Sequence, residues 1–285
     1  MAKVIICVHG RSNKPPKDVL LKGWRSAIQE GMEKNGTRPE RIGRVPVKMA
    51  YYADIKYEEP MPPNEDQEPY RKAKRGALNI YDENWKDKFL EIMKEYTVGK
   101  MAILERYTNY LFSDMLQEIL RVFMEDLAAY LDAKSGSLHD DINQRVEELI
   151  LEHRQDEIIL ISHSMGTLVA YDVMRKLGKK LGQQVEVAHF ITLGSPLGLW
   201  PIKAHLQDEY GGLRTPTIVT QSWCNFSAKG DVVCWDSYLY NDYKPNSRGI
   251  KVKDDLVLND YPGNPHKSYG YLRTPEFSHY LASLL

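Results

Sequence analysis

The sequence predicts an α/β fold in which a mainly parallel sheet is wrapped on both faces by helices. Three observations predict it. Short apolar runs, such as Val4–Val8 and Ile158–Ile161, have the length and composition of buried strands. Segments of helical period follow them, so strand and helix alternate along much of the chain. The third is a serine, Ser164, set in Ser162-His163-Ser164-Met165-Gly166 at the corner between one such strand and the helix after it.

The elements follow in order. Val4–Val8 is the first strand, and Trp24, Ala27, Ile28 and Met32 mark a helix that stops near Asn35-Gly36. Val45–Tyr52 reads as the second strand. From Asp54 to Gln67 the chain is rich in proline and acidic residues, which predicts a mobile loop without regular structure. A helical pattern at Leu78–Tyr96 precedes a longer one. There Leu104, Tyr107, Leu111, Met115, Ile119, Phe123, Leu127 and Leu131 recur at helical spacing over roughly eight turns. Ser135-Gly136 breaks that helix, and Leu138, Ile142, Val146 and Leu149 begin another. Then the alternation is regular: strand Glu157–Ser162, helix Met165–Leu181, strands Val185–Leu193, Thr217–Trp223 and Ile250–Leu258, and a closing helix Phe277–Leu285. The expectation is a single domain over 1–285, with a mostly helical insertion at about 54–136.

Composition narrows the function. The 285 residues carry 38 Lys and Arg against 39 Asp and Glu, a net charge of -1, so no basic field for nucleic acid is present. The 3 cysteines lack regular spacing and argue against a disulfide framework, which favours a reducing, cytoplasmic setting. The run Val4–Val8 is too short for a signal core, and no apolar segment is long enough for a transmembrane span. Neither a zinc-type spacing nor a glycine-rich dinucleotide turn occurs, so no metal and no organic cofactor is expected.

Serine at a strand-to-helix corner is pushed out of the sheet edge and lies at the positive end of the following helix, which suits a nucleophile. Without chemistry it would simply cap that helix. A serine nucleophile needs a base, and the base needs a carboxylate. In an open α/β sheet both belong on loops at the carboxyl ends of later strands. Asp231 lies in the loop read at Asn225–Val233, and His266 lies in Asn264-Pro265-His266-Lys267-Ser268. The order Ser164, Asp231, His266 is that of the hydrolases built around such an elbow. Asp236 is the rival acid, with Asp254 and Asp255 behind it, and His279 is the rival base. His163 points away from the site in this reading. The tetrahedral oxyanion needs two donors, assigned to the backbone N–H groups of Met165 and Arg11. The Arg11 guanidinium is read either as an anion ligand or as one half of a structural ion pair.

On these residues the chain resembles an α/β-hydrolase-fold serine hydrolase of the lipase/esterase-like kind. The resemblance rests on the strand-His9-Gly10 turn, the Ser164 pentapeptide, Leu193-Gly194-Ser195-Pro196-Leu197, Trp223-Cys224-Asn225 leading to Asp231, and Pro265-His266. It covers about 1–53 and 137–285. Ser162 stands where the family's elbow has glycine, and the family's early antiparallel strand pair is missing. The resemblance implies a pared-down sheet of about six strands, a Ser-His-Asp hydrolase, and a cleft lined by Ser195 to Leu199.

These readings converge on an enzyme that cleaves a carboxylic ester or thioester of a small-molecule or lipid-like acyl substrate. Two alternatives stand beside it: a catalytically idle binding or scaffold module, and an amidase or membrane-lipid hydrolase. The insertion reads as a lid, with the Pro-rich Glu59–Pro63 as hinge or connector. It reads equally as core packing, a homo-oligomer surface, or a face for peripheral membrane contact.

Overall fold

The computed structural model describes residues 2–62, 64–66, 68–73, 127, 130 and 136–285. Six strands form one sheet: β1 (Lys3–Val8), β2 (Val47–Ala50), β3 (Glu157–His163), β4 (Val187–Leu193), β5 (Val219–Ala228) and β6 (Val252–Val257). Their order is β2-β1-β3-β4-β5-β6, and every pair is parallel. Five longer helices accompany them among the described residues: α1 (Lys17–Lys34), α2 (Gly136–Glu152), α3 (Met165–Leu181), α4 (Trp200–Tyr210) and α5 (Pro275–Leu284).

Alternation along the strands splits the core into two layers. Val4, Ile6 and Val8 of β1, with Ile158 and Leu160 of β3, pack under α2, α3 and α4. Ile5 and Cys7, with Ile159 and Ile161, face the opposite layer and meet Trp24, Ile28 and Phe277 of α1 and α5. Strands buried on both faces read as unbroken apolar runs, which is why β1 and β3 are so plain in the sequence.

Strand order reverses between β1 and β3, because the chain leaves β1 for β2 and then returns past β1. At such a switch point the loops leaving the two carboxyl ends separate and open a crevice. The loop after β1 begins at His9 and the loop after β3 at Ser164. The fold thus dictates where a site must lie.

Several boundaries differ from expectation. β5 ends at Ala228, five residues beyond the predicted limit, so Asn225–Ala228 is strand and not loop. The polar run continues in the sheet because its side chains are bonded. Thr192 Oγ1 donates to Asn225 Oδ1 (2.8 Å), and Asn225 Nδ2 donates to Asp254 Oδ1 (2.9 Å). Helix α4 escaped prediction: only Ile202 and Leu206 of it are buried, too narrow a stripe to stand out.

The stretch after β2 opens with a one-turn helix, Ala53–Lys56, where no regular structure was expected. Beyond it the chain is irregular but tied down. Met61 N–H donates to Lys14 O (2.8 Å), Asn13 Nδ2 to Glu59 O (3.0 Å), and Tyr261 Oη to Pro69 O (2.9 Å). The helices read at Leu78–Tyr96 and Leu104–Leu131, and the insertion's role as a lid, lie outside the described residues except at Leu127 and Tyr130. Those two are buried in the α2–α3 layer. No helix among the described residues is long and apolar enough to cross a membrane.

Trp223 anchors the α3 side of the sheet. Its ring packs on Phe190 (5.3 Å between centroids) and edge-on to Tyr243 (5.1 Å), and its indole donates to Thr192 Oγ1 (3.2 Å). We expect Trp223→Ala to cost about 3–5 kcal/mol of unfolding free energy, read from urea denaturation with an unchanged m-value.

Candidate active site

Ser164 sits between β3 and α3 with φ 56° and ψ -132°, a left-handed conformation that a side chain adopts only under compulsion. The compulsion is visible. Its N–H donates to Leu193 O (3.0 Å), while its own carbonyl accepts from Thr167 N–H (2.9 Å) and Thr167 Oγ1 (2.8 Å). Two residues on, a Cβ at Gly166 would lie 2.2 Å from the His9 carbonyl oxygen, so only glycine lets α3 start against β1. Ser162 causes no collision two residues before, because its hydroxyl turns along the sheet and donates to Ile191 O (3.1 Å).

His266 meets this serine. Its Nε2 lies 2.8 Å from Ser164 Oγ and its Nδ1 lies 2.8 Å from Asp231 Oδ2. An ionised carboxylate only accepts, so Nδ1 carries the proton and Nε2 is left to accept the serine hydroxyl. The imidazole is gripped through its backbone as well. His266 N–H donates to Asn264 Oδ1 (2.9 Å), and His163 Nε2–H donates to His266 O (2.7 Å). His163 therefore does not point away from the site, as the sequence reading had it. It packs beside His266, ring centroids 4.8 Å apart.

Asp231 is fully buried. Oδ1 accepts Val233 N–H (2.9 Å), and Oδ2 accepts the Tyr271 hydroxyl (2.5 Å) besides His266. Gly194 makes room for this pair. Its φ is 54°, and a Cβ there would stand 2.9 Å from Asp231 Oδ2 and 3.2 Å from His266 Nδ1.

The rivals lie elsewhere. Asp236 is bound by Lys203 (3.1 Å), which also holds Asp242 (2.9 Å). Asp254 accepts the N–H groups of Leu239 (3.1 Å) and Tyr240 (2.8 Å), and Asp255 is exposed on β6. His279 is bonded to Pro275 O (2.8 Å) on the surface.

The loop after β1 closes the other side. Gly10 approaches the serine so nearly that a Cβ would come 2.9 Å from Ser164 Cβ. His9 sets the loop's peptide planes. Tyr52 N–H donates to His9 Nε2 (3.1 Å), which forces the proton onto Nδ1, and Nδ1–H donates to Gly10 O (2.6 Å). The Gly10–Arg11 peptide is trans, so its carbonyl turns toward His9 while its amide N–H, that of Arg11, points the other way. The Lys14 ammonium then binds Arg11 O, and the Arg11 guanidinium donates to Ser12 Oγ (3.0 Å).

A cleft of about 840 Å³ opens over these groups. Leu20, Trp24, Tyr261 and Tyr269 give it apolar surface, and the Lys267–Glu68 ion pair (3.3 Å) gives it a charged rim. Ser195 to Leu199, expected to line a cleft, are buried instead; Ser195 Oγ bonds Thr167 Oγ1 (2.8 Å) beneath the elbow. Among the described residues no group of three or more His, Cys, Asp or Glu side chains is arranged to hold a metal, and Cys7, Cys224 and Cys234 are buried free thiols. Sequence reasoning missed Tyr271, Gly194 and His163. A glycine directly after a strand, and a histidine inside the elbow, were signals available for the last two. Nothing in the spacing of Tyr271 marked it.

The lecithin:cholesterol acyltransferase family model matches residues 134–208, the stretch that holds α2, β3, the elbow, α3 and β4. Among solved structures, one match is a candidate hydrolase of the alpha/beta superfamily from Xanthomonas campestris pv. campestris. It is 12% identical, with 99% of each chain covered and a TM-score of 0.31. No curated protein matches the chain. Among the described residues the chain is an α/β protein built on six parallel strands, and its segment 134–208 is similar to the lecithin:cholesterol acyltransferase family.

His9 and His163 are both held neutral. Burial, then the Lys14 charge, pushes His9 down to about 3, and burial, then His266, holds His163 well below the ordinary imidazole value. Between pH 6.5, the ordinary value, and about 3 the unfolded chain binds a proton at His9 that the native state refuses. Stability is therefore full above pH 6.5 and is lost as pH falls through this window. We expect His9→Asn to flatten the slope of unfolding free energy there by about 1.4 kcal/mol per pH unit, measured by urea titration at pH 6.5, 5.5 and 4.5.

Proposed function

We propose that the protein is a serine hydrolase that cleaves a carboxylic ester or thioester through an acyl-enzyme intermediate. The observation that carries this reading is the unbroken hydrogen-bond chain from Ser164 Oγ through His266 to Asp231, set behind a left-handed serine at the sheet's switch point.

The chemistry follows from the geometry. Ser164 Oγ attacks the carbonyl carbon as its proton passes to His266 Nε2, and the buried Asp231 carboxylate stabilises the resulting imidazolium. The carbonyl oxygen becomes an oxyanion and takes the N–H groups of Met165, at the start of α3, and of Arg11, whose peptide plane His9 sets. The tetrahedral species collapses, the bond to the leaving oxygen or sulfur breaks, and His266 Nε2 returns its proton to that atom. Water then enters, gives its proton to His266 and attacks the acyl carbon, and Ser164 leaves with the proton restored. The mixed walls of the cleft suit an amphipathic substrate with a lipid-like acyl part.

A second reading is favoured by one observation, the match of residues 134–208 to an acyltransferase family model. An alcohol in place of water as the second nucleophile makes the same acyl-enzyme a transferase.

Treatment with a tagged fluorophosphonate, followed by peptide mapping, tests the reading. We expect labelling at Ser164 in the native protein and none in Ser164→Ala; folded native protein that resists the probe rules the enzyme out. Asp231→Asn is expected to lower ester turnover by about 10²–10⁴-fold, while Asp236→Asn stays within about threefold of the native rate. If Asp236→Asn alone abolishes turnover, the acid is misassigned. Adding short alcohols to an ester assay separates the two readings, since a transferase yields the exchanged ester in preference to the free acid.

A further inference from the structure

Tyr271 has no place in the chemistry just described, yet its hydroxyl touches the acid. It donates to Asp231 Oδ2 (2.5 Å), the same oxygen that accepts His266 Nδ1–H (2.8 Å). The hydroxyl is itself oriented, because Ala228 N–H donates to it (2.9 Å) at the end of β5, and Cys234 Sγ lies 3.5 Å away. Its ring is fully buried, and Cε2 would stand 3.1 Å from a Cβ at Gly194. With one lone pair filled by the backbone amide, the phenol proton is left for the carboxylate.

We propose that Tyr271 is a positioning residue that sets the strength of the base: by drawing charge from Asp231 Oδ2, its hydroxyl weakens the carboxylate's hold on protonated His266 and keeps His266 unprotonated, ready to accept from Ser164, to lower pH. This rests on the serine hydrolase reading and deepens it. Two donors on one carboxylate oxygen divide its negative charge, and a hydrogen bond to a charged acceptor is among the stronger kinds. Burial, then the charge of Asp231, holds the Tyr271 phenol well above its ordinary value, so it remains a donor wherever the enzyme works. Cys234, raised by burial, stays a thiol. His163 on the elbow packs against both rings, 4.8 Å from His266 and 5.9 Å from Tyr271 between centroids, and the charges of Lys14 and Lys267 reach His163. His163 gives its Nε2 proton to the His266 carbonyl, and Lys267 binds Glu68.

The experiment follows the rate of fluorophosphonate labelling at Ser164 against pH in native protein and Tyr271→Phe, with circular dichroism on both. With the phenol donor gone, the imidazolium is held more tightly. The acidic limb is then expected to move to higher pH by about half to one unit, a roughly three- to tenfold loss of rate on its acid side. A merely structural role lowers the plateau and leaves the limb in place, and that result overturns the proposal while the hydrolase stands. Should Tyr271→Phe fail to fold, 3-fluorotyrosine at position 271, a stronger donor of nearly the same size, decides. It is expected to move the limb to lower pH, and an unmoved limb overturns the proposal. Native protein that is folded and unlabelled at every pH overturns the hydrolase reading, and this proposal with it.

Discussion

The site depends on one close approach, that of Gly166 to the carbonyl of His9. A single methyl group at Gly166 would fall 2.2 Å from that oxygen. Because nothing intervenes, the first turn of α3 lies against the end of β1. The chain must then turn sharply at Ser164 to leave β3, and the left-handed φ follows. Such a conformation costs on the order of 1–3 kcal/mol for a residue with a side chain. The surrounding bonds offset it: Ser164 N–H to Leu193 O and two donors from Thr167 on its carbonyl. The same approach sets Gly10 beside Ser164, so the serine and the loop opposite it are fixed by one contact.

Three histidines crowd this corner, and their hydrogen-bond partners divide their tasks. His9 accepts an amide N–H, which leaves its proton for a carbonyl, and it serves as a fixed strut for the loop after β1. His163 gives its proton to the His266 carbonyl and is fixed likewise. Only His266 has a hydroxyl at one nitrogen and a carboxylate at the other, the arrangement in which a proton can arrive and be stabilised. Burial keeps the first two neutral, so neither adds a positive charge that would disfavour the imidazolium on the third.

Much of this was legible in the sequence because it rests on local pattern. β1 and β3 are apolar runs buried on both faces, and Met165–Leu181 has helical period from end to end. Ser164, Asp231 and His266 were picked out because chain order and strand ends limit where such residues sit, and the structure brings all three together. What escaped was long-range. Asn225 reads as loop because its partners, Thr192 and Asp254, are far along the chain. Tyr271 is five residues beyond His266, and its bond to Asp231 spans a separation no periodicity encodes. His163 was misread for a related reason: its neighbour in sequence is the serine, but its partner is a carbonyl on another loop. Ser195 to Leu199 were placed in the cleft by resemblance alone, and their burial beneath the elbow reflects this chain's own packing.

Asn264 links the loop of His266 to the segment after β2. Its Oδ1 accepts the N–H of His266 (2.9 Å), while its Nδ2 donates to Glu68 Oε1 (2.7 Å). Glu68 also holds Lys267 (3.3 Å), and near it Pro69 O and Arg71 O accept from Tyr261 and from the buried Arg273. The segment after β2 is thereby stitched along the loop that carries His266. Glu68 to Arg71, just beyond the proline-rich, acidic stretch, is in space the outer support of the loop that carries His266. One amide side chain spans the two: displacing Glu68 leaves Asn264 Nδ2 without that partner and loosens the residue whose other end fixes His266. The position of His266 over Ser164 is thus set from both ends, by Asp231 from within the core and by Glu68 from the cleft wall.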